Sequence, residues 1–240
     1  MTSLPLTGRT LRTKVLPDGC GISHTITVLL PECSESNRKA LIAAERAWRA
    51  EVKLQPVAQR ERASLAVDTA WIASQSLCRD DLGPAHDHYI VAAQDETGTL
   101  RGLSIFYYDE PRKVWWLALH SRDPHDQGGS SASCQIRGVG SELLGADADL
   151  MTSRICTTVE LHPLDTAAAN FWRARGFTTR DGKPCADLTT CQLSCQGLQG
   201  LRSAYAHTPT EDQDMLCHQL TGVYGRLDYS LQARFSAARG

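Results

Sequence analysis

At 240 residues, with 42% hydrophobic and 22% charged side chains, the chain is long enough for one domain with an appended segment to bury its own core. A formal net charge of -2 excludes the basic surplus that a nucleic-acid partner requires. No window approaches the roughly 18 uninterrupted apolar residues of a membrane span, and Met1–Lys14 has no apolar leader, so neither a membrane segment nor a Sec-type signal is expected.

The nine cysteines are irregularly spaced and include no CxxC pair. They read as small buried hydrophobes in a reducing, cytoplasmic setting rather than as a disulfide framework or a zinc site.

Taken in chain order, Arg9–Leu16 and His24–Leu30 are extended runs around Pro17-Asp18-Gly19, which is turn chemistry, and predict a hairpin. Glu35–Val52 places Leu41, Ile42, Ala44, Trp48 and Val52 on one helical face. Val57–Leu77 repeats the pattern after Pro56. His88–Gln94, Leu100–Tyr108 and Val114–His120 are closely spaced β-branched and aromatic runs that predict an antiparallel meander. A polar Gly/Ser-rich loop over Asp123–Ser133 precedes a helix at Gly138–Leu150. A strand at Ile155–His162, a helix at Thr166–Arg175 and a last strand at Leu188–Cys195 follow. Three units result: a hairpin segment over 1–23, a main domain over 24–196 and a helical extension over 197–240. In the extension, Thr208-Pro209-Thr210-Glu211 reads as a capping box. The apolar stripe Leu216, Leu220, Val223, Leu227, Leu231 and Phe235 behind it needs cover, either from the main domain or from a second copy of the chain in a homodimer.

The sharpest chemical signal is Gln135-Ile136-Arg137-Gly138-Val139-Gly140-Ser141, which opens a helix. Two alternate glycines let the backbone approach a ligand. The helix start adds unpaired N–H groups and the positive end of the helix dipole, so the segment suits a pyrophosphate. Position 143 is Leu and no Gly-Lys-Ser/Thr follows, so neither a dinucleotide fingerprint nor a P-loop fits. About one crossover later comes Val159-Glu160-Leu161-His162-Pro163-Leu164-Asp165, leading into Ala167–Phe177 with its closing Gly176-Phe177.

Together these stretches resemble the GCN5-related N-acetyltransferase superfamily, closely over Val114–Phe177 and by element order from His24 to Cys195. The resemblance implies an α/β fold with a mixed, mostly antiparallel sheet flanked by helices, here with a C-terminal helical extension. It implies acetyl-CoA as co-substrate, no metal, and transfer of an acetyl or small acyl group to an amine by direct attack in a ternary complex. The acceptor is then an amine-bearing small molecule or protein. The backbone of Leu117, Ala118 and Leu119 is expected along the pantetheine arm. Gln135 and the amides of Arg137, Gly138, Val139, Gly140 and Ser141 are expected at the pyrophosphate, the Arg137 side chain at a phosphate, and Asn170 near the pantetheine.

The chain departs from that pattern in three places. Arg122–Cys134 is longer than usual. Trp172 stands where many members carry a tyrosine acid, and an indole N–H cannot protonate a thiolate. Asp165 replaces a frequent Asn, though both cap helices. The first two departures leave open a non-catalytic acyl-CoA sensor.

Strand alternation puts Thr158, Glu160 and His162 on one face. Glu160 is therefore the first candidate for the general base, with a carboxyl expected to be raised by desolvation, and His120 is the second. His162 is expected to be turned away by Pro163. His86-x-His88 lacks further ligands and reads as structural. Asp109, Glu110, Asp123 and Asp126 are expected to favour a cationic amine, with His125 beside them in the insertion.

Overall fold

A computed structural model describes residues 4–77, 88–124, 135–152, 158–186 and 188–205. The elements in order are β1 (Gly8–Pro17), β2 (Ser23–Pro31), α1 (Glu35–Val52), α2 (Val57–Ser76), β3 (His88–Gln94), β4 (Leu100–Asp109), β5 (Val114–Arg122), α3 (Val139–Met151), β6 (Thr158–Leu161), α4 (Thr166–Arg173), β7 (Thr178–Thr179), β8 (Cys191–Ser194) and α5 (Cys195–Ala204). The strands form one eight-stranded sheet in the order β1-β2-β3-β4-β5-β6-β8-β7. Every pairing is antiparallel except β5 with β6. The α/β fold class expected from the sequence is the observed one.

Helix α1 begins where the sequence offers a cap: the Ser34 hydroxyl accepts from the Asn37 amide. The apolar faces of α1 and α2 then cover one side of the sheet. Leu41 and Trp48 meet Ala66, Ala70 and Ala73 of α2, and these meet Leu29, Ile90, Leu103, Ile105 and Leu119. Fully buried alanines let α2 lie close to the sheet. The other side carries α3, α4 and α5 over Val28, Val91, Phe106, Trp115, Leu117, Val159 and Leu193.

At the centre of that second layer Trp115 is 0% exposed. Its ring meets Tyr89, Phe106 and Tyr108 at centroid distances of 5.7, 5.6 and 4.9 Å, and its Nε1–H donates to the Met151 carbonyl at 2.8 Å. One side chain thus binds strands β3, β4 and β5 to the end of α3.

The N-terminal hairpin is part of the main sheet: β1 pairs with β2 along its whole length. Cys185 and Cys191 are joined by a disulfide, a correction to the reading of every cysteine as reduced. The β7–β8 pairing brings Thr179 opposite Cys191 and folds the intervening chain back, which carries Cys185 alongside. Cys20, Cys33 and Cys195 are exposed and outside that disulfide. The helix expected beyond Thr208, most of the Gly/Ser-rich insertion and His86 lie outside the described residues. Among the described residues no helix is long and apolar enough to cross a membrane.

Trp115→Ala should lower the unfolding free energy by about 3–5 kcal/mol, because it opens a large cavity and leaves the Met151 carbonyl unpaired. Urea titration followed by circular dichroism measures this. A loss under about 1 kcal/mol contradicts the anchoring role of the ring.

Candidate functional site

The site is built where β5 leaves β6. Val114, Trp115 and Trp116 pair with Thr158, Val159 and Glu160, and the parallel ladder stops there. The cause is local. On the other edge of β5, Ile105 faces Leu119 while the next residue of β4, Phe106, faces Leu117, so Ala118 is an extra residue in the strand. Such a bulge bends its strand and increases the twist. From Leu117 onward the β6-facing edge of β5 has no strand partner among the described residues, and its backbone groups are open to a ligand that bonds like a strand. Leu117, Ala118 and Leu119, where the resemblance leads one to expect the pantetheine arm, lie in this stretch.

The gap leads toward the start of α3. Gly138 is the N-cap in a left-handed conformation (φ 96°), which an L side chain adopts only at a cost. No side chain caps this helix. The Ser141 and Glu142 amides donate to the Gly138 carbonyl at 2.9 and 3.0 Å. The amides of Gly138, Val139 and Gly140 have no partner among the described residues, so three consecutive donors stand at the positive end of the helix dipole.

Two of the five amides expected at a pyrophosphate are therefore otherwise engaged. That of Ser141 is bonded within the turn, and that of Arg137 donates to the Pro17 carbonyl at 3.1 Å. The Pro17 bond pairs with another, from the Gly19 amide to the Gln135 carbonyl at 3.1 Å. Together they clamp the β1–β2 turn onto the loop. Gln135 is thus half-buried and acts through its backbone, while the Arg137 side chain is exposed. A Cβ at Gly140 would lie 3.5 Å from His120 Nε2 and 3.8 Å from both Arg122 Cδ and Phe171 Cε2. These are ordinary contacts. The protein's own packing does not demand glycine there, and its absence of side chain leaves a groove.

The far wall of the groove is α4. Asp165 caps it, its Oδ1 accepting from the Ala168 amide at 2.7 Å. Asn170 is exposed on its surface, and Trp172 is buried between His120 and Phe177 at ring distances of 5.3 and 5.2 Å. Gly176 takes φ 86°, which turns the chain so that Phe177 enters the core.

His120 lies on the α3 side of the sheet, where its side chain is 8% exposed. Nε2 is 3.0 Å from the Gly140 carbonyl, which can only accept, so Nε2 carries a proton. Nδ1 faces Ser104 Oγ at 3.4 Å and Asp147 Oδ2 at 3.6 Å, and the Ser104 hydroxyl donates to Asp147 at 2.7 Å. Burial pushes the Asp147 carboxyl up, against the opposing pull of His120, Ser104 and Arg12. Both ring nitrogens are engaged inside the protein. The second candidate for the general base thus sits between the Gly140 carbonyl and the Ser104–Asp147 pair.

Glu160 shares the opposite face with Trp116, as alternation predicts, but its surroundings differ from the expectation. It is 3% exposed, and each carboxylate oxygen accepts from a guanidinium: Oε2 from Arg112 Nη2 at 2.7 Å and Oε1 from Arg180 Nη2 at 3.1 Å. Burial works to raise this carboxyl, but the hydrogen bonds and charges of the two arginines outweigh it and hold the group below the usual glutamate range. The expected raised value is therefore corrected to a lowered one. His162 is exposed, with Nε2 2.8 Å from Thr190 Oγ1 and its ring against Trp116.

Of the acids expected to attract a cationic amine, Asp123 is buried and paired with Arg101, and Asp109 lies 3.8 Å from Arg112. Glu110 is exposed, and Asp126 and His125 lie outside the described residues. Among the described residues no group of three or more His, Cys, Asp or Glu side chains is placed to hold a metal ion.

No family model and no curated protein matches the chain. Among solved structures it is similar to nourseothricin acetyltransferase (20% identity, 45% of this chain and 66% of that one, TM-score 0.37). It is also similar to Tetrahymena GCN5 (15% identity, 70% and 93%, TM-score 0.42). A third similar structure is a Vibrio cholerae spermidine N-acetyltransferase in complex with CoA and spermine (11% identity, 72% and 98%, TM-score 0.45). With TM-scores below 0.5, these likenesses carry no argument, and the reading of the site rests on the bulge, the gap and the open helix start.

The Glu160 cluster has a testable pH signature. A carboxyl lowered on folding contributes stability above the ordinary glutamate range and loses it as pH falls toward the lowered folded value. Glu160→Gln abolishes that dependence. The stability difference between wild type and variant should be largest near pH 7 and shrink steadily toward pH 3 in denaturant titrations. A difference independent of pH shows that the charge of Glu160 is not what the arginines hold.

Proposed function

We propose that the chain has the fold of the GCN5-related N-acetyltransferase superfamily and transfers an acetyl or other small acyl group from acyl-CoA to an amine on a small molecule or a protein. The observation that supports this most is the conjunction of two open backbone edges in one groove. The unpaired edge of β5 from Leu117 to Leu119 suits an extended, amide-bearing arm. The three free amides of Gly138, Val139 and Gly140 suit the pyrophosphate at its end. Arg137, exposed beside them, reaches a phosphate from the solvent side, and Asn170 reaches the arm from α4.

The chemistry this groove supports is direct attack. The amine nitrogen forms a bond to the thioester carbonyl carbon, and negative charge collects on the oxygen. An N–H at the bulged end of β5 is suited to hold that charge. Collapse restores the carbonyl and breaks the C–S bond, with the electron pair leaving on sulfur. Trp172 offers the thiolate no proton, because indole N–H is too weak an acid, so the thiolate is protonated by water. Glu160, held ionised by two arginines, is a poor proton acceptor and serves to position Arg112 and Arg180. The amine then reacts in its neutral form and loses its proton to solvent. Most of the rate comes from orientation in the ternary complex.

Incubation with acetyl-CoA and a panel of primary amines should release free thiol, measured with a chromogenic disulfide. Binding of acetyl-CoA without thiol release from any amine would instead support a sensor. Gly140→Val places two methyl groups in the groove while keeping a helical backbone. Acetyl-CoA affinity should fall by at least about tenfold in calorimetry, the equivalent of about 1.4 kcal/mol, with the melting temperature within a few degrees of wild type. Gly138→Val is the less informative variant, because its backbone conformation penalises any side chain. Unchanged affinity in folded Gly140→Val overturns the assignment of the loop.

A further inference from the structure

We propose that Arg175, just beyond the end of α4, is a phosphate-binding residue of the acyl-CoA site. The inference deepens the function proposed above and rests on it.

Arg175 is held in one place by contacts of three kinds. Its guanidinium carbon lies 3.4 Å from the centroid of the Phe171 ring, flat against it. Nη1 donates to the Phe171 carbonyl at 2.8 Å, and Nη2 donates to Ser141 Oγ at 2.6 Å. All of these partners are neutral.

No carboxylate among the described residues pairs with Arg175, although its side chain is half-buried and its Nε is buried without a hydrogen-bond partner. Glu142, which follows Ser141 in the first turn of α3, is turned to Lys14 at 2.7 Å. A partly desolvated cation with no counter-charge is costly, and this one is fixed rather than free to swing into water. Such an arrangement is compensated when an anion binds.

The position of Arg175 says which anion. Ser141 directly follows the three free amides of Gly138–Gly140. Because its oxygen accepts from Arg175, its hydroxyl hydrogen is left to donate elsewhere. The amides, the Ser141 hydroxyl and the Arg175 fork thus converge at one helix start, a donor set that matches phosphate oxygens. The ligand class is a phosphate ester or anhydride, and on acyl-CoA this is either the pyrophosphate or the 3′-phosphate. Arg175 then gives the site preference for the full nucleotide-bearing cofactor over a bare pantetheine thioester.

The test is calorimetry on the full chain with acetyl-CoA, dephospho-acetyl-CoA, S-acetyl-pantetheine and inorganic pyrophosphate. Arg175→Met keeps an unbranched apolar stem beside Phe171 but removes the guanidinium and its charge. It should bind acetyl-CoA about ten- to a hundredfold more weakly, the range expected for a charge-assisted hydrogen bond, and bind S-acetyl-pantetheine as wild type does. If the same loss appears with dephospho-acetyl-CoA, Arg175 holds the pyrophosphate. If the loss vanishes there, it holds the 3′-phosphate. Either result supports the proposal.

Equal acetyl-CoA affinity in Arg175→Met overturns it. So does an equal loss of acetyl-CoA and S-acetyl-pantetheine, which would mean a purely structural role. If the Met variant does not fold, Arg175→Lys carries the same comparison, with a smaller loss for acetyl-CoA and none for the pantetheine thioester. Failure of the wild type to bind acetyl-CoA overturns the acyltransferase reading itself. Inorganic pyrophosphate binding, lost in Arg175→Met, would then sustain the anion site alone, and its absence would remove that too.

Discussion

One extra residue, Ala118, sets the geometry on which the rest depends. A parallel pair of strands normally continues as long as both remain extended. Here the bulge against Ile105 and Phe106 turns β5 away after three paired residues. The sheet remains continuous at Val114–Trp116 and is open above it. The cost is a run of backbone groups without a ladder. A ligand with alternating amide donors and acceptors offsets that cost, which a purely apolar ligand cannot do.

Helix α3 must hold its open end at the mouth of that gap, and the sequence secures it with buried polar ties rather than with apolar packing alone. Asp147 is fixed by Ser104 and His120, and His120 in turn holds the Gly140 carbonyl. At the other edge Arg12 meets Asp149 at 2.6 Å, and Lys14 meets Glu142. Buried ion pairs rarely add net stability. What they add here is register: a slide of α3 by one turn would leave several charges unpaired at once. His120 thus ties the start of α3 to the sheet through both of its ring nitrogens.

The sequence carried the periodic elements well. Helix α1 and strand β3 fall on their predicted bounds, because Ser34 caps the one and the β-branched and aromatic run Tyr89-Ile90-Val91 marks the other. The loop was legible through its two glycines. Strand β7 was missed because it is two residues long. Helix α5 was missed because Gly197 and Gly200 dilute its propensity, although Ser194, whose hydroxyl accepts from the Gly197 amide, was a readable cap. The face of Glu160 followed from alternation. Its partners did not, since Arg112 comes from the β4–β5 turn and Arg180 from the turn after β7, and only the tertiary fold brings them together. Arg175 was hidden for a similar reason: adjacent to the Gly-Phe closure, it reads as a surface residue until Phe171 and Ser141 are seen on either side of it.

The clamp between the β1–β2 turn and the Gln135–Arg137 segment bears on the order in which the protein becomes competent. During synthesis the hairpin emerges well before the loop it holds, which lies more than a hundred residues later. The nearby Lys14–Glu142 tie spans 128 residues of sequence, and the Arg12–Asp149 tie spans 137. Closing such long loops is slow, so local elements such as the α1–α2 pair form well before them. The β1–β2 turn and the charged side chains of β1 therefore lack these partners until the Gln135–Arg137 segment and α3 arrive. A nascent or prematurely terminated chain would hold the hairpin and both early helices yet have nothing for the Pro17 carbonyl to receive. The arrangement of the Gln135–Arg137 segment and the start of α3 therefore depends on a hairpin made well before it.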